Sequence, residues 1–478
     1  MSGKTLKEKS LSSVKSLALP LGLTYLTKFI QVPILALFLS PTDFGIWGLA
    51  TVLIKAMESL TEVGLKKLLV QRNTVDDSYL QSIWGVMIIR GLFITLVALL
   101  IVPFYTSFVE SPDGQFIFTL VIIVPAIQAF TTPALYMAER DIEFKNIALF
   151  DALGQILFFC IVVALAYLYQ SVLAMVLALL AAETIKVGMS YWFFGIPVKP
   201  HLPKWEHIKE IFHQGKYFFL IAMGGFITIQ MDDLVIGKWL GNDVLGYYFI
   251  AYSIINVIVT VIRKLFGRVL FPFYTKLVAG KKEAHKRINR ILEDQILLLC
   301  ILFTLIFIFA PPLIYLFFSD QWVNAIPMIQ ILTLTGLVRG VGNLIVPLFL
   351  AEKKQNVLAY GRIIEVILFL PVIYFFTIQY EAIGTAYAVG VIFIIALSYR
   401  IAVAIRLFKL EVMKGTAMKF LYLYFVMISG AFFIMAYQPD FFVYVKYGVA
   451  PVFIVIVLAY FIKKGKTISY FINQYLSS

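Results

Sequence analysis

Thirteen ionisable side chains fall inside apolar runs long enough to cross a bilayer: Lys28, Lys55, Glu58, Glu62, Arg90, Glu183, Lys186, Asp232, Asp233, Arg339, Arg362, Glu365 and Arg400. A charge presented to lipid at mid-bilayer costs roughly 3 kcal/mol or more, so each must meet a partner or line something wet. Lys55, Glu58 and Glu62 recur at i, i+3 and i+7, which puts them on one helix face. Lys55 can neutralise one of these acids and leave the other titratable, which makes Glu58 and Glu62 candidates for ion coupling. The same spacing also suits a static network that holds this helix against its predecessor. Asp232 and Asp233 form a second acidic candidate. Lys28, Arg90 and Arg339 have no acid at helical spacing in their own runs, so each needs a partner from another helix or an anionic ligand. With Lys55 they are the candidates for anion binding. Glu183 with Lys186, and Arg362 with Glu365, are i, i+3 pairs that can neutralise themselves.

No catalytic constellation accompanies these charges. The four histidines, His201, His207, His213 and His285, all lie in polar connecting segments, and no glycine-rich phosphate loop occurs. Cys160 and Cys300 are both inside apolar runs, which excludes a disulfide framework and leaves a metal site without ligands. No cofactor is expected. The adjacent acids Asp232-Asp233 could suggest a membrane glycosyltransferase, but such an enzyme needs a sizeable extramembrane domain, and no segment supplies one.

The elements that must position the charges follow from composition. Of 478 residues 61% are hydrophobic and only 14% charged, too little charge to clothe a soluble protein of this size. The chain reads as an all-α polytopic membrane protein. Apolar runs place spans near 14–38, 41–64, 82–106, 115–138, 146–170, 172–195, 216–240, 245–268, 292–318, 325–350, 358–378, 383–407, 417–437 and 444–462. The first run follows a basic N-terminus, lacks a small-residue cleavage site, and reads as a retained helix. Ser40-Pro41-Thr42-Asp43 is a helix start, with a hydroxyl cap, proline at the first position and acid in the first turn.

The net charge of +13 is concentrated in alternate loops, among them Lys66, Lys67 and Arg72, Arg140 and Lys145, and Lys281, Lys282 and Lys286. Opposite loops hold Glu110, Asp113, Asp243, Asp320, Glu381 and Asp440. That asymmetry places both termini in the cytoplasm and accounts for the basic balance without a nucleic-acid partner. Between Pro197 and Gly215, Trp205, Ile208 and Phe212 share a face opposite Lys204, Lys209 and two glutamates, which suits either a short amphipathic helix in the interface or a plain linker with a helical turn. Leu39–Ala50 matches Leu240–Ala251, an internal repeat at an offset of about 200 residues. The expected organisation is an N-lobe over 1–200, a C-lobe over 201–408 preceded by the linker helix, and two accessory spans with a tail over 409–478.

Several stretches carry a resemblance: LSPTDFGIWGLATVL with EVGLKKLLVQR in 39–72, PALYMAERDIEFKNIAL in 133–149, DDLVIGKWLGNDVLGYYFIAY in 232–252, GRVLFPFYTKL in 267–277 and QWVNAIPMIQILTLTGLVRGVGN in 321–343. The chain resembles the polysaccharide exporters and flippases of the multidrug/oligosaccharidyl-lipid/polysaccharide superfamily, in the branch handling teichuronic acid, colanic acid and O-antigen type glycans. That resemblance implies a transporter of the bacterial cytoplasmic membrane, not an enzyme. It would move an oligosaccharide linked to a polyprenyl pyrophosphate by alternating access of two lobes. Its partners would be that substrate, membrane lipids, and the glycan polymerase and glycosyltransferases of the same pathway. Two alternatives stand beside it. A multidrug cation antiporter wants an acid-dominated cavity, whereas the intramembrane excess here is basic, and a glycan polymerase or ligase wants a large external loop.

Overall fold

In the computed structural model, residues 6–60, 64, 65, 68, 69, 75–141, 143–196, 198–279, 284–408 and 416–437 are described. Fourteen α-helices and no strand occur among them. They are α1 (Leu6–Ala36), α2 (Pro41–Leu60), α3 (Asp77–Phe108), α4 (Gln115–Val121), α5 (Val124–Gln128), α6 (Ala134–Arg140), α7 (Phe144–Tyr169) and α8 (Val172–Phe194). There follow α9 (Trp205–Leu240), α10 (Asn242–Ala279), α11 (Ala284–Phe317), α12 (Ala325–Ala351), α13 (Gln355–Phe408) and α14 (Thr416–Tyr437). Eight described helices are long and apolar enough to cross a membrane by length and composition alone. α13 counts once among these, although it breaks at Tyr380 and Glu381, where Glu381 takes a left-handed φ of 53°, so that it is two successive spans. Helices thus stand at thirteen of the fourteen expected spans, and the last, 444–462, lies outside the described residues.

Two compact units divide the chain, Met1–Phe249 and Ile250–Ser478. In the first, α2 packs against α9, α1 against α7, α7 against α8, and α3 against α5. In the second, α12 is the central helix, buried along most of its length and packed by α11, α13 and α14. α9 packs onto α2 and so belongs to the first unit, which ends at Phe249. The linker differs from expectation. Trp205 opens α9, which runs unbroken to Leu240, so there is no separate interfacial helix. Val198 and Ile211 join Tyr79, Leu80, Ile83 and Trp84 of α3 in one apolar cluster, and His207 Nδ1 lies 2.8 Å from Ser82 Oγ with its ring against Tyr79. His207 is therefore held in the packing.

The fourth expected span, 115–138, is not one helix. It is broken into α4, α5 and α6 because Pro125 and Pro133, which lack an N–H, each stand at the start of a new segment. Backbone groups opened at membrane depth must find partners inside the protein. Thr95 Oγ1 of α3 donates to the Ile122 carbonyl at 3.0 Å. At the second break the Thr132 N–H donates to Ser190 Oγ at 3.2 Å, Thr132 Oγ1 donates to the Gly195 carbonyl at 3.0 Å, and the Tyr191 hydroxyl donates to the Phe130 carbonyl.

The start of α2 is capped as its sequence predicts. Asp43 accepts from the Ser40 N–H (2.9 Å) and hydroxyl (2.5 Å), and its own N–H donates back to Ser40 Oγ at 3.2 Å, a reciprocal capping box. Its other oxygen accepts the Val172 N–H at 2.8 Å, which ties the start of α8 to the start of α2. The two copies of the internal repeat meet here. A Cβ at Gly45 would overlap the Asn242 carbonyl, and one at Gly246 would overlap the Pro41 carbonyl. Pro41 and Asn242 hold equivalent repeat positions, as do Gly45 and Gly246, so the contact is reciprocal. Thr42 and its equivalent Asp243, 201 positions on, are hydrogen-bonded to each other. Only glycine lets the backbones approach this closely. Lys238 with Glu110 and Asn242 with Ser111 (2.9 Å) extend the polar network. In a background with Cys160 and Cys300 replaced by alanine, the pair Thr42→Cys and Asp243→Cys is expected to cross-link in isolated membranes under mild oxidation. Failure of the disulfide to form would contradict this contact.

Candidate functional site

The first unit holds a partly open cavity of about 200 Å³ lined by Met57 and Glu58 of α2, Met87, Arg90, Gly91 and Ile94 of α3, Pro125 and Gln128 of α5, with Leu65, Ala129 and Tyr136. The break in the fourth span opens it, since Pro125, Gln128, Ala129 and Tyr136 all come from the interrupted segment. Two of the candidate charges, Glu58 and Arg90, share this wall. Lys55 pairs with Glu58 at 2.8 Å, as their spacing predicts, in a partly exposed bridge. Glu62, the third member of that face, lies outside the described residues. Arg90 is half-buried and has no hydrogen-bond or ion-pair partner among the described residues. Gln128 donates to Glu183 Oε2 at 3.2 Å, so Glu183 stands behind the cavity wall.

The expected Glu183–Lys186 pair does not form. Lys186 Nζ points instead to Asp151 at 4.0 Å and lies 5.4 Å from the Phe150 ring centroid, because α7 packs along α8 and offers it a closer partner. Lys28 is exposed on α1 and is not among the residues lining the cavity. Asp232 and Asp233 of α9 are buried, at 1% and 6% exposure, and Asp232 Oδ2 accepts the Tyr248 hydroxyl at 2.7 Å.

Arg339 belongs to the second unit, near the middle of α12. Its Nη1 donates to the Tyr252 hydroxyl and its Nη2 to Asn256 Oδ1, each at 3.0 Å. The guanidinium also lies 5.8 Å from the ring centroids of both Tyr252 and Phe393. These partners orient a cation without neutralising it, and the two rings favour its charge electrostatically. The tyrosines of α10 therefore serve the charges: Tyr248 serves an acid and Tyr252 a base. Sequence reasoning missed Gln128 and Tyr136 on the broken span, and Asn256 and Phe393 around Arg339. Pro125 and Pro133 were the available signal for the first pair, whereas nothing in the local sequence marks the second.

An all-α, multi-pass membrane protein with several of its intramembrane charges held inside its units is the class that this geometry defines. Its fold is that of a solved structure described as lipid II flippase MurJ in an inward closed conformation. The likeness has a TM-score of 0.71, covers 94% of this chain and 99% of that one, and comes with 12% sequence identity. A family model described as "Polysaccharide biosynthesis protein" matches residues 34–327, and the chain belongs to that family. Among its relatives, an uncharacterized membrane protein in the cps region of Klebsiella pneumoniae is 23% identical over 80% of this chain and 79% of that protein. The lipopolysaccharide biosynthesis protein WzxC of Escherichia coli is 21% identical over 77% and 75% respectively.

Asp232 supplies a direct check on this packing. Tyr248→Phe removes a donor to a buried carboxylate, which typically costs about 1–3 kcal/mol. The purified variant is expected to melt below the wild type, and an unchanged melting temperature would contradict the bond.

Proposed function

We propose that this protein moves an oligosaccharide, linked to an isoprenoid pyrophosphate, from the inner to the outer leaflet of the bacterial cytoplasmic membrane for assembly of a cell-surface polysaccharide. The observation that carries the reading is Arg90, a cation at membrane depth on a cavity wall with no partner among the described residues. A pyrophosphate cannot enter hydrocarbon uncompensated, and the guanidinium fork suits its oxygens. Arg339, held by neutral partners alone, suits the same task, and Lys28 and Lys55 complete the proposed set of substrate contacts. Membership of a polysaccharide biosynthesis family and the fold shared with a lipid II flippase support the choice of substrate class.

The transport cycle in this reading is alternating access of two repeat-related lobes, 1–200 and 201–408, with 409–478 accessory. Glu58, Glu62, Asp232 and Asp233 are the proposed coupling acids. Glu58 shares the Arg90 cavity, so a proton or cation there would be felt by a bound anion. A glycan polymerase and glycosyltransferases would act before and after the transport step.

Complementation in a strain lacking its own flippase tests the substrate site, with membrane levels of each variant checked. Arg90→Ala and Arg339→Ala are expected to abolish polymer export, the lysine variants to lose part of it, and Glu58→Gln to change its dependence on the proton or sodium gradient. Normal export by every variant would place the anion site elsewhere. The orientation has its own test. Cysteines introduced at Ser2, Ser78 and Ser477 are expected to resist an impermeant maleimide applied to intact cells, and one at Asp113 to react. Labelling of the first group from outside would reverse the topology.

A further inference from the structure

The second unit holds another cationic cluster, built on the hairpin of α13. Glu365 is buried, with 2% of its side chain exposed, and two arginines share it. Arg362 Nη1 approaches Oε2 at 2.8 Å and Arg400 Nη2 donates to Oε1 at 2.7 Å. The spacing of Arg362 and Glu365 predicts the first pair; the second joins residues 35 positions apart across the hairpin. One carboxylate thus faces two guanidiniums, and Arg362 also feels the positive charge of Arg339. Glu365 is the only acid within the spans of α12 and α13, so these helices keep a cationic excess.

Arg400 is underused. It makes one bond among the described residues, through Nη2, and its buried Nε has no partner. A buried charged donor left open calls for an acceptor. The site is also shaped for this side chain. A Cβ at position 361 would lie 2.5 Å from Arg400 Nε and 3.2 Å from Cζ, so any larger residue would displace the guanidinium from where it lies. Access comes through Arg362, whose side chain is 42% exposed. Arg362 and Arg400 stand about 10 and 12 Å in from the two ends of the hairpin, at ~1.5 Å per residue, and so at matching depth.

We propose that Arg362 and Arg400 form a subsite for the phosphate group of a lipid, with Glu365 as the positioning residue that holds both forks in place. Two planar forks converging at one depth match the several oxygens of a phosphate or pyrophosphate better than they match one carboxylate. The choice of an isoprenoid pyrophosphate as the bound lipid rests on the function proposed above, whereas a bilayer phospholipid would present the same chemistry.

The test uses the purified full chain in phosphatidylcholine nanodiscs, with thermal stabilisation as the measure of binding. The probes are geranylgeranyl pyrophosphate, the alcohol geranylgeraniol, and nanodiscs doped with phosphatidylglycerol. The expected result is stabilisation by the pyrophosphate but not by the alcohol. Arg400→Gln and Gly361→Ala should each weaken it about tenfold or more, with Arg400→Lys in between, as expected for loss of a charge-assisted fork. Arg400→Gln leaves Glu365 paired with Arg362, and Gly361→Ala keeps every charge, so at least one variant should fold. Stabilisation that depends on Arg400 but comes only from phosphatidylglycerol would support the subsite and count against the isoprenoid substrate. Equal pyrophosphate binding by wild type and all variants would overturn the subsite and leave the proposed function standing. No stabilisation of the wild type by any probe would overturn the subsite outright.

Discussion

Hydrocarbon offers no partner to a charge or to an open backbone carbonyl, and the internal arrangement of this chain follows from that constraint. The clearest case is the interrupted fourth span. Two prolines open its backbone, and threonine, serine and tyrosine side chains from α3 and α8 close it again. The interruption does more than cost hydrogen bonds, because Pro125, Gln128 and Tyr136 from the broken segment form one wall of the cavity that holds Arg90 and Glu58. Irregular backbone at membrane depth is tolerated where it lines such a space.

The charges divide into two groups under the same rule. Some are neutralised locally: Lys55 with Glu58, and Glu365 by its two arginines. Others are held by neutral groups that orient them and leave the charge uncancelled, as Tyr252 and Asn256 hold Arg339. A protein needing rigidity alone would be better served by apolar packing, since burying an ion pair seldom adds stability. In the proposed function these unneutralised cations at membrane depth serve an anionic cargo, whereas a cationic cargo would call for acids in their place.

The repeat adds a second constraint. Gly45 and Gly246 stand at equivalent positions, and each presses against the residue equivalent to the other's neighbour, with Thr42 bonded to Asp243 beside them. Such reciprocity is what two copies of one element produce when they pack against each other about a local two-fold axis. The adjoining capping box also ties α2 to α8 through Asp43. A small shift of α2 would therefore be felt both at the repeat contact and, four helical turns along, at Glu58 in the cavity wall.

The sequence by itself determined that the chain is helical and membrane-spanning and located helices at thirteen of the fourteen expected spans, because apolar run length is a local quantity set by bilayer thickness. It did not foresee the breaks in the fourth span or the polar extensions of α1, α9, α10 and α11. It also located the helix start at Ser40–Asp43 and the i, i+3 pairs Lys55–Glu58 and Arg362–Glu365, which are fixed by helix geometry alone. Partners from other helices were beyond it. Lys186 turned to Asp151 and away from Glu183, Arg400 joined Glu365 across a hairpin, and Arg339 found Asn256 and Phe393, since each choice depends on which faces meet. The repeat was legible as similarity, but that its two glycines pack reciprocally was decided only by the fold. Residues far apart in sequence become neighbours through packing, and helical periodicity carries no record of which neighbour that packing selects.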